Sequence, residues 1–239
     1  NIDLSRNNRN VPVYSNDEEF QFGCIWLPNL SGIDAYIVAK GTSSEKFLPF
    51  IQQRNIKHII NVDDTSLKNT LVALGLFNQS RTVADMEITC CGYEDKGAFD
   101  RKQFLITDGK TSQNLTMFSL KALEESQMLP SAPSSILMLL DAVTRCNPGP
   151  SGSNPLLFYS SREVNLCSLM YILLNEKDRI RRDGEIHILR TSAEMLARSR
   201  TLLPSFEQYV FLYKCLAADV SPESTYENVA AVKSMGEIL

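Results

Sequence analysis

The sequence predicts an α/β (α+β) fold: one domain with a twisted, mixed β-sheet flanked by helices. Three observations predict it. Short, nearly continuous apolar runs such as IKHIINV (Ile56–Val62) and PLLFY (Pro155–Tyr159) suit strands buried on both faces. Longer apolar stretches of helical spacing alternate with them. No linker divides the chain, because the Pro/Gly/Ser run NPGPSGSN (Asn147–Asn154) is too short to do so. Residues 1–239 are therefore expected to form a single domain.

The elements follow in order. SSEKFLPFIQQRN places Phe47, Phe50 and Ile51 at helical spacing, and Pro49 is expected in the first turn, where its missing N–H is harmless. IKHIINV follows as a buried strand. The stretch from Thr82 to Leu120 reads as several strands, with Gly92, Asp108-Gly109 and the polar KTSQN segment supplying turns. SSILMLLDAVTRC (Ser134–Cys146) is a helix expected to be capped by Ser134 or Ser135. PLLFY is the second buried strand, and EVNLCSLMYILLNEK the second apolar helix, followed by the charged RIRRDGE. Thr191-x-x-Glu194 matches a capping box for a helix through Ala197. EQYVFLYKCLAA is another apolar helix, and Ser221-Pro222 opens a terminal one.

Composition narrows the function classes. Lys and Arg number 24 against 28 Asp and Glu, a formal charge of −4, so no basic face for nucleic acid is expected. The longest apolar runs, such as Leu166–Leu174, fall well short of the roughly 18 residues of a membrane span, so no integral membrane segment is expected. Six cysteines form no CxxC pair, and those in GCIWL, NLCSLM and YKCLA read as buried free thiols of a reduced, cytoplasmic or otherwise intracellular protein. Only His58 and His187 are available as histidine ligands, so neither a metal nor a cofactor is expected.

The most informative segment is strand, loop and helix: PLLFY, SSREVNL, CSLMYILLNEK. A strand turning into a helix N-terminus aims unpaired backbone N–H groups and the helix dipole at whatever sits in the turn. A phosphate cradle usually needs glycines for close backbone approach, and this loop has none.

This segment resembles the signature of the classical protein tyrosine phosphatase domain, a strand, His-Cys, a Gly-containing loop ending in Arg, and a helix. PLLFYSSREVNLCSLMYILL aligns with it without a gap. Further resemblances occur in the family's order: FGCIWLPN (Phe22–Asn29), DAYIVAKG (Asp34–Gly41), KFLPFIQQRNIKHIINV, LPSAPSSILMLLDAV and EQYVFLYKCL (Glu207–Leu216). For this family the chain looks short at its N-terminus, as expected of a fragment or one part of a longer protein.

The resemblance implies the following positions. Tyr159 takes the His place, Ser160 the nucleophilic Cys place, and Ser161 keeps the following Ser. Arg162 takes an Ala place, Glu163 and Asn165 the two Gly places, and Leu166 the place of the phosphate-binding Arg. The general acid falls on Glu125 or Ser126, in KALEESQMLP. The water-positioning Gln corresponds to Pro204, and the ring-clamping Tyr to Asn7, with Tyr14 a weaker substitute.

Such a site lacks the chemistry of a cysteine phosphatase. That reaction needs a low-pKa thiolate and a bidentate guanidinium. Ser160 does not ionise near neutral pH without a dedicated base, Leu166 binds no phosphate, and Glu163 repels a dianion. The expectation is a pseudophosphatase whose partner is another protein, a phosphorylated protein or a kinase, with Ser160, Ser161 and Arg162 as candidate anion contacts. A scaffold indifferent to phosphate is one alternative. An enzyme of altered chemistry using Ser160 is another, but it would need His58 or His187 as base. The basic cluster Arg179–Glu185 offers at most weak, salt-sensitive binding to an anionic lipid or nucleic acid. The expected oligomeric state is left open.

Overall fold

The computed structural model describes residues 24–27, 34–39, 44–62, 80–83, 85–121, 129, 132–147, 154–160, 164–199, 202 and 204–219. Eight strands and five helices lie among them. The strands are β1 (Cys24–Leu27), β2 (Ala35–Ala39), β3 (His58–Asn61), β4 (Ser80–Val83), β5 (Met86–Asp95), β6 (Phe99–Thr107), β7 (Ser112–Leu120) and β8 (Leu156–Ser160). The helices are α1 (Ser44–Gln53), α2 (Pro133–Cys146), α3 (Val164–Asp183), α4 (Ile188–Leu196) and α5 (Phe206–Asp219). All eight strands form one mixed sheet in the order β1-β2-β8-β3-β7-β6-β5-β4.

The middle of that sheet is parallel. β8 lies between β2 and β3, and β3 pairs with β7 in the same sense. The flanking β1 and the β4–β7 meander are antiparallel. The apolar runs behave accordingly. β8 is buried at every position, as a strand covered on both faces must be. β5 alternates buried and open positions along its first half.

Helices cover both faces. α1 lays Phe47, Leu48, Phe50 and Ile51 onto the face carrying Ile59, Met117, Leu157 and Tyr159. The other face, with Ile60, Phe118, Leu156 and Phe158, is covered by α2, α3 and α5. Every residue of α3 from Leu166 to Lys177 is buried, so this helix is the axis of the helical layer rather than an amphipathic surface helix. Its buried charges are paired. Lys177 bonds Asp219 of α5 and lies 3.4 Å from Asp141 of α2. Glu176 accepts hydrogen bonds from Thr191 Oγ1 (2.5 Å), Arg179 (2.5 Å) and the His187 backbone N–H (2.7 Å).

Four local expectations are corrected. Pro49 is the sixth residue of α1, not in its first turn. Burial of the aromatic and aliphatic residues around it outweighs the backbone bond that proline removes. Gly92 makes no turn; it marks a β-bulge inside β5, where the pairing with β6 shifts between Cys90 and Gly92. The turn lies at Gly97, whose φ of 76° favours glycine. Neither Ser134 nor Ser135 caps α2, which starts after Ala132 with Pro133 in its first turn and no side-chain cap. Thr191 lies inside α4 and serves Glu176, while Glu194 pairs with Arg190 (3.1 Å). The capping box of this region belongs to α5. Gln208 N–H donates to Ser205 Oγ (3.2 Å), and Gln208 Oε1 accepts from Ser205 N–H (3.0 Å).

The expected Asp108-Gly109 turn is present, with Gly109 at φ 81°. The Asp108 carboxylate accepts from the Lys110 and Thr111 backbones and is thereby held well below its ordinary range. The expected helix at Ser221-Pro222 lies outside the described residues.

Candidate functional site

In sheets with a parallel core, ligands bind beyond the carboxyl ends of the strands. Here those ends are Ala39, Ser160, Asn61 and Leu120 on four adjacent strands. Register brings Ser160 opposite Ala39, and Tyr159 opposite Asn61. Three residues separate the end of β8, at the centre of this edge, from the start of α3.

The side chains around the turn are mostly inward. Tyr159 is buried, and its ring meets Phe47 of α1 edge-on at 6.0 Å. Ser160, one residue on, is 3% exposed. Asn165 is half-buried in the first turn of α3. Leu166 is 4% exposed and belongs to the large apolar cluster under the helical layer. Pro204, half-buried, stands directly before the Ser205 cap of α5. Ser161, Arg162, Glu163, Glu125, Ser126, Asn7 and Tyr14 lie outside the described residues.

Sequence reasoning missed one polar pair at this edge. Asn61 ends β3 beside Tyr159, is fully buried, and donates from Nδ2 to Ser119 Oγ at 3.3 Å. Its Oδ1 is buried without a donor. The available signal was a lone amide closing the apolar run IKHIIN. A buried amide with half its capacity unused is costly, so this pair constrains how the carboxyl edge is built.

Neither histidine reaches Ser160. His58 opens β3 and pairs with Leu156, at the opposite end of β8, roughly 13 Å of strand away. His187 is tied through its backbone to Glu176, roughly 18 Å along α3 from Val164. His58 is held below its ordinary value of 6.5 by burial, then by Lys57 and Arg101.

The cysteines stand apart as well. Cys24, Cys90, Cys167 and Cys215 are buried, and burial pushes Cys215 up to about 12. Cys146 ends α2, and the next residue, Asn147, bonds the Asn154 backbone through its side chain (2.9 and 3.0 Å). That clasp holds Cys146 at the amino end of β8, away from Ser160. No group of three or more His, Cys, Asp or Glu able to hold a metal occurs among the described residues. No helix among them is long and apolar enough to cross a membrane.

Residues 26–218 match the family model for protein-tyrosine phosphatase. The chain belongs to the protein-tyrosine phosphatase family. No curated protein matches it. The matched span runs from β1 to the penultimate residue of α5 and takes in the whole sheet except its first two residues. The mixed eight-stranded sheet and its five helices agree with the fold that the sequence resemblance implied. The β8–α3 turn falls inside the matched span, whereas Asn7 and Tyr14 precede it.

Proposed function

We propose that this domain is a catalytically inactive member of its family, a pseudophosphatase acting as a protein-interaction or scaffold module inside the cell. The observation that carries the reading is Leu166. Aligned with the family signature, it occupies the place of the phosphate-binding Arg, and its side chain is buried in the apolar core instead of facing a ligand. Ser160 stands in the nucleophile place, with neither histidine near enough to serve as its base. Glu163 and Asn165 stand where glycines would let the backbone close around phosphate. Pro204 offers no amide to position water. Nucleophile, phosphate ligand and water-positioning group act as a unit, so their joint loss removes the reaction rather than altering it.

The partner in this reading is another protein, either phosphorylated or a kinase. Arg162 and the α3 N-terminus, whose first turn carries no acidic residue, supply the residual attraction for phosphate. Titration with matched phosphotyrosine and tyrosine peptides at two salt concentrations tests this. Preference for the phosphorylated peptide that is lost in Arg162→Glu supports phosphate capture. Equal affinity for both peptides overturns capture and leaves a phosphate-indifferent scaffold.

A further inference from the structure

A second concave surface lies away from the β8–α3 turn. It is a cavity of about 480 Å³ between α2 and the β5–β6–β7 part of the sheet. Its sheet wall is a row set by register: Glu94 of β5 opposite Arg101 of β6, and Arg101 opposite Phe118 of β7. Its helix wall is Met138, Asp141, Ala142 and Arg145, spaced i, i+3, i+4 and i+7, a complete stripe of α2. The core takes a different stripe of the same helix: Ile136, Leu137, Leu139, Leu140 and Val143. Thus α2 presents one face to the core and a second, mixed face to this groove.

The groove has an exposed apolar side chain and a surplus of cationic donors. Met138 on its helix wall is 49% exposed, while Phe99 and Phe118 behind the lining are buried. Both carboxylates are already engaged. Glu94 pairs with Lys96 (2.9 Å) and lies 3.7 Å from Arg101. Asp141 pairs with Arg181 (3.1 Å) and lies 3.4 Å from Lys177. Arg145 is exposed and makes no hydrogen bond or ion pair with any described residue, and Arg101 Nε is buried without an acceptor.

We infer that this groove docks a short acidic segment of a partner protein, one that sets an apolar side chain between carboxylates. Charge complementarity selects the carboxylates, because Arg145 is exposed with no partner among the described residues. Exposed Met138 selects the apolar side chain. The stripe from Met138 to Arg145 is roughly 10 Å long, the reach of about three extended residues, which fits a peptide stretch. This site is independent of the phosphate reading, since its ligand carries no phosphate.

The test uses the full chain, isotopically labelled, and an acetylated peptide alternating Glu with Phe and Leu. Saturable amide shifts confined to Lys96–Arg101 and Met138–Asn147 are expected. Arg145→Glu should weaken binding about tenfold or more, and Met138→Ala about threefold. A control peptide with Gln for Glu should bind at least about tenfold more weakly than the parent. Arg145 and Met138 are exposed, so their replacement leaves the core intact; Arg101→Glu is a supporting variant only. No binding at millimolar peptide, shifts centred elsewhere, or unchanged affinity in Arg145→Glu would overturn the inference. So would phenylpropionate binding as tightly as the peptide, which would make this a small-molecule site. A parallel phosphotyrosine-peptide titration reads Val164–Leu166, so failure of either site is seen separately.

Discussion

Ser160 and Leu166 are six residues apart, one closing β8 and the other in the first turn of α3, and both point into the protein. Their identities were legible in the sequence, but their burial was not, because only the packed helical layer decides which side of α3 faces the core. Leu166 is held by apolar neighbours, so restoring a guanidinium there is a stability problem before it is a catalytic one. Leu166→Arg should lower the unfolding free energy by about 2–4 kcal/mol, whereas Leu166→Met should cost less than about 1.5 kcal/mol. Urea denaturation checks this; an unchanged Leu166→Arg would mean that the side chain faces the turn. His58 gives a second residue-level prediction. Its folded-state value is lowered, so between that value and 6.5 the unfolded chain binds more protons than the folded one. Its contribution is complete above 6.5 and is lost as pH falls. The urea midpoint should therefore decline from about pH 7.5 to pH 5, and His58→Gln should flatten that decline.

The elements were found more reliably than their ends. Hydrophobic periodicity placed β3, β8, α1, α2, α3 and α5, because burial on one or two faces writes itself into spacing. The ends failed where a local motif competed with tertiary contacts. Thr191-x-x-Glu194 has the form of a capping box, yet Thr191 is drawn to the buried Glu176, and Ser205-x-x-Gln208 forms the box instead. Pro49 survives mid-helix because α1 is fastened by Phe47, Phe50 and Ile51. The Glu176 cluster ties α3 to α4 and to the turn before it. Glu176→Ala should destabilise the domain by about 3–5 kcal/mol, since it strands Arg179, Thr191 and the His187 N–H. Thr191→Val should cost about 1–2 kcal/mol. A Glu176→Ala variant of undiminished thermal stability would contradict the role given to this cluster.

At the scale of the molecule, the sheet order separates what composition could say from what it could not. Turn residues such as Asp108-Gly109 marked the β5–β7 stretch as several strands, but no periodicity reveals that β8, late in the chain, inserts between β2 and β3. That insertion puts the carboxyl end of β8 at the centre of the carboxyl edge. Family membership explains why the sheet and helices persist. Their apolar faces are needed whatever the chemistry at the turn, because burial and not the site holds them. The most direct test of an inactive site is phosphate release from an aryl phosphate by the purified protein, Ser160→Cys and Ser160→Ala. Release no greater than a buffer blank from all three is the predicted result, since a thiol alone restores neither the guanidinium nor the glycine loop. Measurable release by the unmodified protein that Ser160→Ala abolishes would contradict it.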